Sequence, residues 1–144
     1  MAGYSGTPLA KKLGIAGTGQ RVLLANAPTG FVGQLTGLPD GVEIEMAINK
    51  GQSYDVIVWF VTNRKTLVTG LAALRASMSI SGGLWVAWPK KSSRVATDVT
   101  EDVIRELALS RKLVDNKVCA IDDTWSGLRL VIPVALRPKK ANGK

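Results

Sequence analysis

Apolar positions along the chain fall in short blocks divided by glycine, proline and aspartate, and the period changes from block to block. Val22 to Ala25 is a brief apolar run that follows Arg21 and predicts a strand. From Val42 to Ile48, Val42, Ile44, Met46 and Ile48 alternate with Glu43, Glu45 and Ala47, the period of a strand with one wet face at a sheet edge. Asp55 to Val61 is continuously apolar after its first residue, as a central parallel strand covered on both faces requires. Leu67, Leu71, Leu74 and Met78 then recur at helical spacing behind Asn63, a residue suited to capping a helix N-terminus.

Gly82 and Gly83 read as a turn into a strand from Leu84 to Trp88. Thr100 followed by Glu101 and Asp102 opens a further helix carrying Val103, Ile104, Leu107 and Leu113. Thr7 and Pro8 open a short first helix ended by Gly14, and Phe31, Val32 and Leu35 predict another after the loop Asn26 to Gly30. Pro39, Asp40 and Gly41 form a turn. Strands at Lys117 to Ile121 and Leu128 to Ile132 lie too close for a crossover helix and predict an antiparallel hairpin. Pro133 places the end of that last strand near Ile132. Strands alternating with helices give an α/β fold, three-layer and Rossmann-like, its sheet mostly parallel with a C-terminal antiparallel hairpin strand.

The 144 residues suit one domain, assigned to 1–136, with 137–144 as a disordered basic tail. No apolar run approaches the ~20 residues of a membrane span, and the N-terminus lacks a secretory pattern, so the expected location is the cytoplasm. The chain has no histidine and one cysteine, Cys119, which excludes thiolate–imidazole zinc sites and histidine-dependent triads. Cys119 itself fits a strand as a small apolar residue. Nineteen Lys and Arg against eleven Asp and Glu leave a net charge of +8, a bias toward anionic ligands. Arg137, Lys139, Lys140 and Lys144 carry part of it in the tail.

The order of elements resembles class I methyltransferases, in which a terminal hairpin slots one reversed strand into an otherwise parallel sheet. Leu13 to Leu24 is similar to the lead into their first strand, and Leu74 to Val86 to their helix, glycine turn and fifth strand. Ser5 to Ile15, Leu84 to Lys91 and Asp122 to Gly127 also resemble a family of short bacterial proteins that carries no established activity. The methyltransferase resemblance implies S-adenosylmethionine as cofactor, an acid near the end of the first strand, a glycine-rich turn, and a second acid ending the second strand. This sequence departs from that pattern. Leu24 stands at the first acid, only Gly30 remains of the glycines, Pro28 removes an N–H donor, and the second strand reads Ile48, Asn49, Lys50 at its expected end, with Glu45 too early. These departures predict no bound cofactor.

Ligands of open α/β sheets bind beyond the carboxyl ends of the strands. That rule selects Asn26, Thr29 and Gly30 in the first loop, Thr62 and Arg64 in the second, Lys90, Lys91, Ser92 and Arg94 in the third, and Asp122, Asp123 and Trp125 in the hairpin. The third loop gathers charge and hydroxyls fit for a phosphate or sulfate, against the plainer reading of a solvated loop. Asp122 and Asp123 fit either a metal or acid/base pair or, more plainly, a turn in which Asp caps backbone N–H groups and Trp125 packs over the sheet end. Trp59, Trp85 and Trp88 read as core, with Trp88 also placed to stack on a base.

The reading that follows is a non-catalytic binding or regulatory domain for an anionic small molecule or a protein partner. A methyltransferase with an unusual cofactor loop and a nucleic-acid binder using Lys90, Lys91, Arg94 and the tail are the alternatives.

Overall fold

A computed structural model describes residues 7–138. Six strands form one sheet: β1 (Arg21–Ala25), β2 (Glu43–Glu45), β3 (Tyr54–Phe60), β4 (Met78–Pro89), β5 (Val114–Ala120) and β6 (Trp125–Val131), in spatial order β2-β1-β3-β4-β6-β5. Only β6 is reversed, pairing antiparallel with both β4 and β5. One reversed strand in an otherwise parallel sheet is the arrangement expected from the sequence. Of the tail, Arg137 donates from Nε to the Ile132 carbonyl at 2.9 Å, and residues 139–144 lie outside the described residues.

The helices are α1 (Leu9–Lys12), α2 (Arg64–Ala76) and α3 (Glu101–Ser110). Asn63 caps α2 by accepting from the Thr66 N–H at 2.8 Å, and Thr100 caps α3 by accepting from Val103 at 3.2 Å. Leu67, Leu71 and Leu74 of α2 and Ile104 and Ala108 of α3 pack on one face of the sheet against Ile57, Leu84, Val86 and Leu130. The other face is covered more thinly. Ala10, Leu13 and Ile15 around α1, with Phe31 and Leu35, bury Val56, Val58, Phe60, Trp85 and Ala87. Arg105 joins Glu101 and Asp102 of its own helix to Asp115 of β5, pinning α3 to the sheet edge.

Four local expectations are corrected. The helix expected at Phe31 to Leu35 is a single 3-10 turn, Val32–Gln34. Gly30 at φ 86° and Gly37 at φ 69° break the chain on either side of it, while Phe31 and Leu35 still bury their side chains. The strand expected over 42–48 pairs only at Glu43–Glu45, because an edge strand has one neighbour and β1 ends two residues beyond Leu23, the partner of Glu45. The hairpin loop is shorter than expected: Ile121 donates to the Trp125 carbonyl at 2.9 Å, so the chain re-enters the sheet at Trp125.

Nor do Gly82 and Gly83 form a turn; they lie inside the twelve-residue β4. While β3 advances from Tyr54 to Val56, β4 advances from Met78 to Gly83, which is a bulge. A Cβ on Gly82 would lie 2.9 Å from the carbonyl oxygens of Tyr54 and Asp55, so the bulge needs a residue without one.

At the end of β2, Glu45 accepts a 2.6 Å hydrogen bond from the Tyr54 hydroxyl and pairs with Arg21 at 2.8 Å. The Tyr54 hydroxyl, and after it Arg21, hold the Glu45 carboxyl below its usual 4.5 against the opposing push of desolvation. A lowered folded-state pKa gives stability that is present above 4.5 and lost as pH falls through the folded value. Glu45→Gln is therefore expected to flatten the dependence of Tm on pH below 4.5, measured by acid-to-neutral thermal melts. A slope equal to that of the unaltered protein would contradict the assignment.

Candidate functional site

Because β1, β3, β4 and β5 are parallel, their carboxyl ends bring the four selected loops to one rim. The first loop keeps a glycine-like path without the glycines. Asn26 is in the left-handed region at φ 58°, a conformation asparagine tolerates better than most residues, and Gly30 follows at φ 86°. Leu24, at the place of the first acid, is fully buried. Glu45, expected from the sequence to lie too early, is the last residue of β2 because that strand ends there and not at Ile48, so an acid does stand at the end of the second strand, with its carboxylate held by Tyr54 and Arg21.

In the second loop the Thr62 carbonyl accepts from the Thr97 hydroxyl at 2.6 Å, and the Arg64 N–H donates to Asp98 Oδ1 at 2.6 Å. A strap from Val95 to Val99 thus crosses the end of β3, anchored by Val99 in the core. Asp98 and Asn63 together occupy the N-terminus of α2, where an incoming anion would otherwise find open N–H groups. Sequence reasoning missed Thr97 and Asp98, since an acid in a polar stretch carries no local sign that it meets a helix 34 residues earlier.

The third loop is a 3-10 turn, Lys91–Ser93, closed by Arg94 in the left-handed region at φ 61°. Ser93 Oγ donates to the Lys90 carbonyl at 2.6 Å, whereas Ser92 is exposed. The Lys90 N–H donates to the Thr124 carbonyl at 2.8 Å and so ties this loop to the hairpin. Lys90, Lys91 and Arg94 form no ion pair among the described residues.

In the hairpin, Asp122 Oδ1 accepts from the N–H groups of Thr124 and Trp125, both at 2.9 Å. Its Oδ2 meets Gln34 Nε2 at 3.4 Å. Asp123 is exposed beside it. The turn-capping reading of Asp122 is the one its geometry supports. Trp125 stacks edge-on against Phe60 at 5.0 Å, and Phe60 against Phe31 at 4.8 Å, an aromatic row under the rim. Among the described residues no three carboxylate or thiol groups converge on a metal site. Burial raises the pKa of the half-buried Cys119 thiol, which keeps it protonated.

On the α2 side of the rim lies a slot of about 260 Å³ lined by Ala25, Asn26, Ile48, Trp59, Thr69 and Gly70, with no charged side chain. Gly70 is what lets Trp59 lie there: a Cβ on it would stand 2.7 Å from Trp59 Cζ2. The sequence marked Trp59 as core and gave no sign of this slot.

One strand order with a single reversal, a rim of loops at the carboxyl ends, and α2 and α3 on one face together decide the architecture. The fold is that of class I methyltransferases. Magnesium protoporphyrin IX methyltransferase of Synechocystis PCC 6803, solved with bound S-adenosylhomocysteine, is similar to this chain with a TM-score of 0.56 and 10% identity, over 81% of this chain and 75% of that one. DhpI, solved as its S-adenosylhomocysteine complex, is similar with a TM-score of 0.57 and 12% identity, over 90% of this chain and 85% of that one. An O-methyltransferase of neocarzinostatin biosynthesis, NcsB1, reaches 0.61 at 9% identity, over 80% of this chain and 49% of that one. No family model matches the sequence, and no curated protein is detectably similar to it. Among the described residues no helix is long and apolar enough to cross a membrane.

Proposed function

We propose that this chain is a non-catalytic binding domain on the class I methyltransferase architecture, holding an anionic small molecule at the rim. One observation carries the reading: neither β1 nor β2 offers a carboxylate to a cofactor, since Leu24 is buried and Glu45 is held by Tyr54 and Arg21. Each missing charged hydrogen bond costs about 1.5–3 kcal/mol, so losing two weakens cofactor binding by a factor of about 100 or more. The rim instead presents Lys91 and Arg94 without carboxylate partners among the described residues, next to the backbone turn they sit on. Phosphate and sulfate monoesters fit that chemistry through charge-assisted hydrogen bonds.

The test is calorimetric titration of the full chain with adenosine monophosphate at low ionic strength. Binding weakened about a hundredfold or more by combined Lys91→Ala and Arg94→Ala is the expected result. An affinity unchanged by that double substitution would remove the rim from the account.

A second reading, an S-adenosylmethionine-dependent methyltransferase with an unusual cofactor loop, is favoured by the left-handed Asn26 and Gly30. They keep the backbone path that a glycine turn supplies. The structural neighbours bind that cofactor or its product. Methyl transfer by this chain would establish it.

A further inference from the structure

On the α1 face, away from the rim loops, a pocket of about 240 Å³ is lined by Lys11, Lys12, Leu13, Gly14, Asn116, Lys117 and Arg129. Four of these seven residues are cationic and none is acidic. Lys117 of β5 and Arg129 of β6 are direct cross-strand partners, and directly opposed residues project to the same face. Like charges so placed repel each other.

Arg129 is half-buried, and its side chain makes no hydrogen bond or ion pair among the described residues. Its guanidinium lies against β4: a Cβ on Gly83 would overlap Nε and stand 2.8 Å from Nη2. Glycine at that position therefore makes the space the guanidinium occupies. Desolvation first, and then the nearby Arg137, lower the Arg129 pKa, the sign of a cation crowded without a counter-charge. Lys12 Nζ donates to the Ala120 carbonyl at 3.3 Å, and Lys117 Nζ to the Lys12 carbonyl at 3.3 Å, which holds both ammonium groups at the pocket wall. Asp115, the acid on β5, is engaged by Arg105 of α3 at 3.0 Å.

We infer that this pocket is a binding site for the phosphate or pyrophosphate group of a small metabolite, with Arg129 and Lys117 as its principal ligands. The guanidinium supplies a planar pair of donors, and the lysines supply neutralising charge at the mouth. A half-open pocket of about 240 Å³ has room for a compact polyanion such as pyrophosphate.

The site is testable by amide and arginine Nε NMR of the full chain titrated with inorganic pyrophosphate at low ionic strength. Saturable shifts are expected at Leu13, Gly14, Asn116, Lys117 and the Arg129 Nε signal. Arg129→Met is expected to weaken binding roughly tenfold to a hundredfold, the range for a lost charged hydrogen bond. Lys117→Ala, at an exposed position where folding is insensitive, is expected to weaken it several-fold. Shifts confined to residues 90–94, shifts that persist unweakened in both variants, or no shifts at all would overturn the inference. The first of these outcomes would leave the rim proposal standing, so the two readings fail separately.

Discussion

Trp85→Ala is expected to destabilise the protein by about 3–5 kcal/mol, the range for removing a buried large aromatic side chain. Trp85 is fully buried on β4 and ties the α1 face to the sheet, its indole N–H donating to the Leu13 carbonyl at 2.9 Å. That bond fastens the end of α1 to the sheet on the face that has no long helix. Gly127 of β6 makes room for the ring, since a Cβ there would stand 3.0 Å from Trp85 Cε3. Trp85→Phe keeps an aromatic ring but leaves the Leu13 carbonyl without its donor, and an unmet buried acceptor costs about 1–3 kcal/mol. Urea denaturation followed by circular dichroism measures both. A loss under about 1 kcal/mol for Trp85→Ala would show that the α1 face does not depend on this contact.

Gly82→Ala is the second large effect, expected at about 1–3 kcal/mol, as for other overpacked positions. Its new Cβ would meet two backbone carbonyl oxygens of β3 at 2.9 Å and Ser79 Oγ at 2.7 Å. A side chain can rotate away, but paired strand backbone cannot without breaking the β3–β4 ladder. The bulge is therefore expected to shift or open, with faster hydrogen exchange at Tyr54 and Met78, the ladder partners just before it. A stability equal to that of the unaltered chain, with exchange unchanged, would contradict the close approach of β3 and β4.

Where hydrophobic pattern and burial coincide, the sequence was sufficient. The unbroken run after Asp55 became a central strand because both its faces are covered, and Leu67, Leu71 and Leu74 of the expected stripe became the buried side of α2, while its fourth member, Met78, opens β4 instead. The short hairpin spacing forced β6 to reverse. Pro133 lies just past β6, opening a 3-10 turn, where its missing donor is no loss to the sheet. Where long-range geometry decides, the sequence was silent or misleading. Two adjacent glycines signal a turn and a bulge equally well, and only the carbonyls of Tyr54 and Asp55 tell them apart. The strand ending at Glu45 rather than Ile48 depends on how far its neighbour β1 runs.

The rim loops were legible through topology alone, since carboxyl ends of parallel strands must share one edge. Their internal bonding was legible only in part. The capping role of Asp122 follows from a local turn and was foreseen as the plainer alternative. Asp98 on Arg64, the uncharged slot beside Trp59, and the cationic pocket at Arg129 join segments far apart in sequence, so no window of neighbouring residues contains them.

The proposed loss of cofactor binding on this class I methyltransferase fold rests on the buried Leu24 at the end of β1 and on the engagement of Glu45 by Tyr54 and Arg21. Calorimetric titration of the full chain with S-adenosylhomocysteine tests it most directly, because that compound needs no methyl acceptor to bind. No saturable heat up to millimolar concentration is the predicted result. One-to-one binding in the micromolar range would contradict the proposal.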